Sequence, residues 1–263
     1  MPFAGKSGFR GIAIIDGVTF IRFASFDITA KQEPNVFLPA YGGTGLKTIF
    51  SKGTMDITGT MSGPLTAGKG MVLYDLAANQ TEFMLDVVYF DNQTRRLLGC
   101  KIDNLQFTCT AGELISFSAA VVAKTVARKN KTASYTASEK VYTHDKCNVV
   151  FSDDVYRYEK ITAFTYTISN GYKVVKTATS LTPTVLGNAI QDVSGQITFL
   201  NSNLLILPLT DGVYKLTFND TTFTIGDVVA KHDIVIHPME NVPLTPGAVL
   251  TNINWTRADS YYG

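Results

Sequence analysis

The chain repeats itself, and that constrains its fold more than any other feature. Met55-Asp56-Ile57-Thr58-Gly59-Thr60-Met61 has the pattern of Gln191-Asp192-Val193-Ser194-Gly195-Gln196-Ile197, with Asp56 and Asp192 at an offset of 136 residues. Phe23–Thr29 has the pattern of Ile161–Thr167, at an offset of 138. Asn104–Thr108 pairs with Asn241–Thr245 at 137, and Gly112 with Gly247 at 135. Segments kept in one order at nearly one offset indicate a duplication. The 263 residues therefore divide into two domains of ordinary size. Domains are expected at 1–125 and 147–263. Between them, 126–146 is rich in Lys, Ser, Thr and Ala with little apolar periodicity, and it reads as a linker.

A shared defect strengthens the pairing. In the first copy the apolar positions run Ile21, Phe23, then Phe26, Ile28; in the second they run Ile161, Ala163, then Phe164, Tyr166, Ile168. Both change phase within the same few residues. A period-2 strand that shifts phase turns its apolar face to the other side, as at a bulge or where a strand crosses between sheets.

Most other segments also read as strands, being short, rich in β-branched and aromatic residues, and bounded by Gly, Asn and Asp. In the first copy they lie near 12–15, 18–30, 47–61, 83–90, 97–108 and 113–125. In the second they lie near 148–151, 155–169, 173–180, 189–200, 213–218, 221–225, 231–237 and 248–257. Val72, Leu73, Leu76 and Ala77 make a helical stripe, which predicts one short helix in the first copy. The equivalent stretch of the second copy, Asn203–Leu209, contains Pro208 and is expected to lack it. A long loop, Lys31–Lys47, carries Pro34, Pro39 and three glycines among Phe37, Leu38 and Tyr41. Loops this long and apolar are uncommon unless they contact something. The second copy is expected to lack this loop.

Composition excludes several functions. Net charge is +1, so no basic field argues for nucleic-acid binding. The one basic cluster, Lys124, Arg128, Lys129 and Lys131, reads as a solvated linker. Residues 1–11 contain no apolar signal-like run, and no stretch is long and apolar enough for a membrane anchor. Cys100, Cys109 and Cys147 are odd in number and without metal spacing, as expected of folding in a reducing cytoplasm. Gly63–Lys69 fits the first seven positions of a phosphate-binding loop, but Gly70 stands where the metal-binding hydroxyl belongs, so a glycine-rich turn is the expectation. His232 and His237 fall on opposite faces of an expected strand and cannot readily share a metal; His144 is remote in sequence. No G-x-S-x-G elbow occurs and no pair of carboxylates stands out. Trp255 reads as a packing residue of the last strand. No catalytic, cofactor-binding or metal-binding residue is expected, and no cofactor.

The ordered features resemble the phage tail tube proteins. Asn104-Leu105-x-Phe107-Thr108-x-x-Ala111-Gly112-Glu113-Leu114-x-x-Phe117 resembles their closing hairpin. Met55–Gly59 is similar to the strand after their long loop, and Met71–Ala78 to their short helix. The resemblance implies an all-β fold of two tandem tail-tube-like domains, each a β-sandwich or half-barrel, with one short flanking helix in the first. It implies a structural, non-enzymatic virion protein, assembled in the host cytoplasm into trimeric pseudo-hexameric rings. These would stack into a tube whose lumen holds the tape measure protein and the genomic DNA. The partners implied are further copies of the chain and, in a contractile tail, the sheath. Asn35, Phe37, Leu38, Tyr41, Leu46 and Lys47 of the long loop are the expected contacts between rings. A tube initiator or baseplate hub of the same fold is the nearest alternative. A carbohydrate-binding β-sandwich lacks the expected Trp platforms, and a membrane β-barrel conflicts with the cysteine usage.

Overall fold

Period-2 alternation decides most of the architecture, because each strand has one face to hide and two hydrogen-bonding edges to satisfy. The structure, a computed structural model, describes residues 11–32, 35–37, 49–51, 55–66, 69–89, 93–130, 141, 147–153, 156–157, 161–175, 183, 185–187, 191–201, 212–218, 221–238 and 249–257. The first half contains β1 (Gly11–Ile15), β2 (Thr19–Phe23), β3 (Ser25–Gln32), β4 (Asn35–Phe37), β5 (Ile49–Ser51), β6 (Met55–Pro64), α1 (Lys69–Ala78), β7 (Phe83–Val88), β8 (Gln93–Thr110), β9 (Ser116–Ala123) and β10 (Thr125–Asn130). The second contains β11 (Cys147–Asp153), β12 (Tyr156–Arg157), β13 (Ile161–Ser169), β14 (Lys173–Val175), β15 (Val185–Gly187), β16 (Asp192–Asn201), β17 (Gly212–Phe218), β18 (Thr221–Pro238) and β19 (Val249–Arg257).

All described pairings are antiparallel, and the two halves pair in the same order. In the first, β2–β1–β7–β8 form one run and β8–β9–β6–β3 another, with β4–β5 as a separate hairpin. In the second, β12–β11–β17–β18 and β18–β19–β16–β13 repeat those runs, with β14–β15 as the hairpin. The expectation that the second copy lacks the long loop's counterpart is therefore corrected. Lys173–Val175 and Val185–Gly187 pair as Asn35–Phe37 and Ile49–Ser51 do, at the repeat offset.

Other expectations are refined by the pairing. The stretch 18–30 breaks at Ala24, whose N–H donates to Ser62 O at 2.7 Å. Up to Phe23 it pairs with β1, and from Ser25 with β6. The phase change is thus a strand leaving one sheet for another. In the second half the β13–β16 register shifts between Ile161 and Ala163. The stretch 47–61 divides into β5 and β6, and the two expected strands at 221–225 and 231–237 are one strand, β18. The linker expected from 126 begins as a strand, since β10 pairs with β8 through Asn130. The helix forms where its stripe predicts. Segment 241–245, matched to Asn104–Thr108 above, lies outside the described residues, as does 203–209. The ladder makes β18 the counterpart of β8, since β18 pairs with β17 and β19 as β8 does with β7 and β9. The match of Asn104–Thr108 with 241–245 is therefore corrected to a stretch within β18.

Two turns rest on backbone that side chains disfavour. Asp16 and Gly17 have φ of 50° and 78°, the combination of a type I′ hairpin turn. Gly112, at φ 84°, occupies the third place of the turn in which Glu113 N–H bonds Thr110 O at 3.0 Å. That is a type II turn, which calls for glycine there.

The core joins both sheets of the first half and extends into the second. Ile57, Met61, Phe107, Phe117 and Val121 share one buried cluster with Leu73 and Ala77 of α1 and with Ile21, Leu85 and Leu97 of β2, β7 and β8. Phe164, Tyr166 and Ile168 of β13 belong to the same buried cluster. Tyr166 stands opposite Phe107, rings stacked at 6.4 Å. Each such side chain contributes roughly 1.5–3 kcal/mol when fully covered. Burial also pushes the Cys100 thiol up to about 12, so it stays protonated and unreactive near neutrality.

Among the described residues one charged side chain, that of Asp86, is fully buried. It accepts two hydrogen bonds from Arg96, Nε at 2.6 Å and Nη2 at 2.5 Å. The two face each other across β7 and β8. The carboxylate holds the guanidinium pKa above its usual value. Removing the guanidinium alone leaves a buried carboxylate unpaired. Arg96→Met is expected to destabilise the fold by about 3–5 kcal/mol, and Asp86→Leu with Arg96→Met to recover most of the loss, measured by urea unfolding.

Candidate functional site

β8 is 18 residues long, too long for one neighbour to cover. One of its edges is followed along nearly its whole length by β9 and then β10. The opposite edge is shared end to end: β7 takes residues 94–100 and β13 takes 104–110. β13 is thus inserted from the second half into a socket of the first. Ala111 N–H to Thr162 O and Asn170 N–H to Asp103 O, each 2.7 Å, bracket this seven-pair ladder.

A buried polar cluster locks the junction. α1 ends with Gln80 N–H bonding Ala77 O and Thr81 N–H bonding Leu76 O, while Gln80 takes a φ of 52°. This is a Schellman cap with glutamine in the usual glycine place. Asn170, fully buried, donates through Nδ2 to Ala77 O at 3.0 Å and Ile102 O at 2.8 Å. Gln191 Nε2 reaches Ala77 O, Ala78 O and Asn170 Oδ1 at 3.2, 3.1 and 2.9 Å. Asp103, at the bulge of β8, accepts from Tyr172 N–H at 2.7 Å. Residues of the second half therefore satisfy carbonyls at the first half's helix end, which a lone first half would leave to water. Nearby, Val122 of β9 packs with Tyr172, Leu186 and Val174, so the β14–β15 hairpin crosses the junction as well.

The continuous sheet β3–β6–β9–β8–β13–β16 has two unlike faces. One is the buried apolar face already described. The other presents Ser25, Asp27, Thr29 and Lys31 on β3 and Thr58 and Thr60 on β6, all exposed. Ser116, Ser118, Gln106, Thr108, Thr165 and Thr167 continue it, half-buried. Hydroxyls and amides dominate, with few charges.

The run of strands that joins the two halves, from β3 to β18, ends in two edges left open among the described residues; β2, β10 and β12 of the large sheet also pair on one side only. β3 pairs only with β6, leaving its outer edge. β18 pairs with β17 up to Val228 and with β19 from Val228 on. The edge of Lys231–Pro238 away from β19 therefore has no strand on it. It is the counterpart of the β8 edge that β13 fills.

Of the loop residues expected at ring contacts, Asn35 and Phe37 lie in β4 of the first hairpin. Leu38, Tyr41, Leu46 and Lys47 lie outside the described residues. The phosphate-loop look-alike is part of the sheet. Gly63 and Pro64 end β6, which runs antiparallel between β3 and β9. A side chain on Gly63 would come within 2.8 Å of Ala24 N, so this glycine admits the strand that crosses between sheets. Among the described residues no group of three or more His, Cys, Asp or Glu could hold a metal ion. No helix among them is long and apolar enough to cross a membrane. The seam residues Asn170, Gln191 and Asp103 escaped sequence reasoning. The only signal was their place beside matched repeat segments, Gln191 opposite Met55 and Asn170 just after Ile161–Thr167.

The two halves of this all-β chain join edge to edge, and β3 and β18 end the joined sheet in edges on which no described strand lies. The sequence profile of the family described as Phage tail tube protein matches residues 83–256, well over half of the chain. The chain belongs to the phage tail tube protein family and is a structural component of the phage tail. No curated protein matches it.

Asn170→Ala is expected to cost about 1–3 kcal/mol, because Ile102 O loses this buried donor and Ala77 O is left with Gln80 N–H and Gln191 Nε2. Thermal unfolding would register the loss, and limited proteolysis would show faster cutting within 131–146.

Proposed function

We propose that this chain builds the tail tube wall as trimeric rings, each chain supplying two tandem tail-tube domains and each ring six around a lumen. The first domain spans 1–125 with β10 appended, the second 147–263, and the linker between them shortens to 131–146. The observation that carries this reading is β13 seated on the β8 edge. Two like units already join side by side, and the ends of the pair are the two halves of the same joint. A contact between unlike faces, repeated about an axis, closes a ring.

The hydroxyl-rich face lines the lumen in this reading. Affinity for the phosphate backbone grows with the Lys and Arg contacts made to it. A wall of Ser, Thr and Gln offers DNA a wetted surface without a basic grip, as suits a conduit for DNA and the tape measure protein. The opposite side, bearing α1, faces outward, toward a sheath where the tail is contractile. The protein acts without catalysis or cofactor and assembles in the host cytoplasm. The base of each hairpin serves the joint between units. The tip of the first, with Leu38, Tyr41, Leu46 and Lys47, reaches the neighbouring ring.

Negative-stain microscopy of the purified chain is expected to show rings with a central hole, and tubes at higher concentration. Replacing 39–46 by a short Gly-Ser turn is expected to leave rings that no longer stack, with circular dichroism unchanged. Tubes as long as the parent's would remove the tip from the stacking role, and a chain that stays monomeric at every concentration would remove the tube reading.

A further inference from the structure

The internal junction specifies, residue by residue, how one copy joins the next. Gly59 of β6 stands between Ile28 of β3 and Val121 of β9. Gly195 of β16 stands between Tyr166 of β13 and Trp255 of β19. Ile28 therefore corresponds to Tyr166, and Val121 to Trp255. Four residues back along β9 and β19 lie Phe117 and Thr251, which face Phe107 of β8 and Ile236 of β18. Phe107 thus corresponds to Ile236. Inside the chain Tyr166 faces Phe107.

Resting on the tube reading above, we infer that β3 of one copy pairs antiparallel with β18 of a second copy in one register, Ile28 opposite Ile236. The rest follows by counting. Asp27 falls opposite His237 and Thr29 opposite Val235. The β18–β19 register shifts between Lys231 and Val235, and counted along β18 itself Lys31 falls opposite Asp233. The internal ladder bonds at Tyr166/Phe107, because its bracketing hydrogen bonds lie at 162/111 and 170/103. The three charged or polar positions therefore fall at non-bonded pairs, where facing side chains come closest. One of these positions brings together Lys31 and Asp233, residues of opposite charge.

Neighbouring registers are disfavoured by the same residues. A slip of two in one direction sets Lys31 opposite Lys231, like charge on like charge. The opposite slip moves Pro238, which has no N–H, from the end of the ladder to the bonded place opposite Ile28. In the inferred register Pro238 faces Phe26 at the ladder's end, where one missing donor matters least. A slip of one sets the apolar face of β3 against the polar face of β18. The β4–β5 hairpin then stands to the second copy's β19 as β14–β15 stands to β9.

The test is cysteine cross-linking of the full chain in a Cys147→Ser background, Cys100 and Cys109 being buried. Thr29→Cys with Val235→Cys is expected to give covalent trimers on mild oxidation. The pair shifted by two, Thr29→Cys with Asp233→Cys, should give about tenfold less, its sulfurs lying beyond bridging distance. Asp233→Lys should weaken ring formation in light scattering while leaving the circular dichroism unchanged. Normal rings in which the shifted pair cross-links as well or better would overturn the register and leave the tube reading standing. Rings that never cross-link through either pair would overturn the seam itself. A parent chain that forms no ring would overturn the tube reading and the seam with it.

Discussion

Everything in this molecule depends on the edge of one strand. β8 is long enough to serve two sheets, so one of its edges must find two partners in succession. β7 supplies the first and β13 the second. An unfilled edge would leave a row of peptide groups facing either water or a stranger. By placing its own β13 there, the chain converts a liability into a joint. Because the second half is built like the first, its β18 carries the same kind of edge, which in the proposed ring a further copy fills.

The joint is more than a ladder. Its apolar side stacks Tyr166 on Phe107, and its end is sealed by Asn170, Gln191 and Asp103. The buried amides choose a position along the helix end, where the ladder alone could slide by two residues without exposing its apolar face. Hydrogen bonds to buried carbonyls contribute little net stability when made but cost a good deal when missing. That asymmetry makes such a cluster a device of register. The division of labour suits a wall protein, in which the apolar face gives cohesion and the polar details give alignment.

The two faces of the sheet answer to different demands. Packing against α1 and the second sheet fixes large apolar residues on one side, where a lost methylene is felt. The other side has no such constraint within the chain, yet it is filled with small hydroxyls and amides, with few charges of either sign. Near neutrality on this face accords with the net charge of +1 of the whole chain. In the proposed tube this face lines the lumen, where short neutral polar side chains would neither hold nor strongly repel a polyanion.

The sequence by itself determined what is local or repeated. Alternation marked the strands, the stripe at Val72–Ala77 marked the helix, and the offset near 136 marked the doubling. The change of phase between Phe23 and Phe26 marked either a bulge or a strand crossing between sheets, and the pairing of β2 with β1 and β3 with β6 decided for the crossing. The family resemblance was legible in the closing hairpin around Gly112. Tertiary structure alone decided which edges meet. Nothing in β13 says that it pairs with β8 as well as β16, since a strand's side chains advertise its faces and its backbone groups are the same in every strand. A strand was expected near 173–180, but its hairpin with Val185–Gly187 was missed because three residues are too few to show an alternation, and Pro183 and Gly187 do not cluster as Pro39, Gly42, Gly43 and Gly45 do. Asn170 was missed because a lone asparagine beside a strand looks like a turn. Its role exists only where a helix end from the other half comes within 3 Å. Face is written in the sequence at period two, whereas edge partners are chosen by hydrogen bonds between segments far apart in the chain.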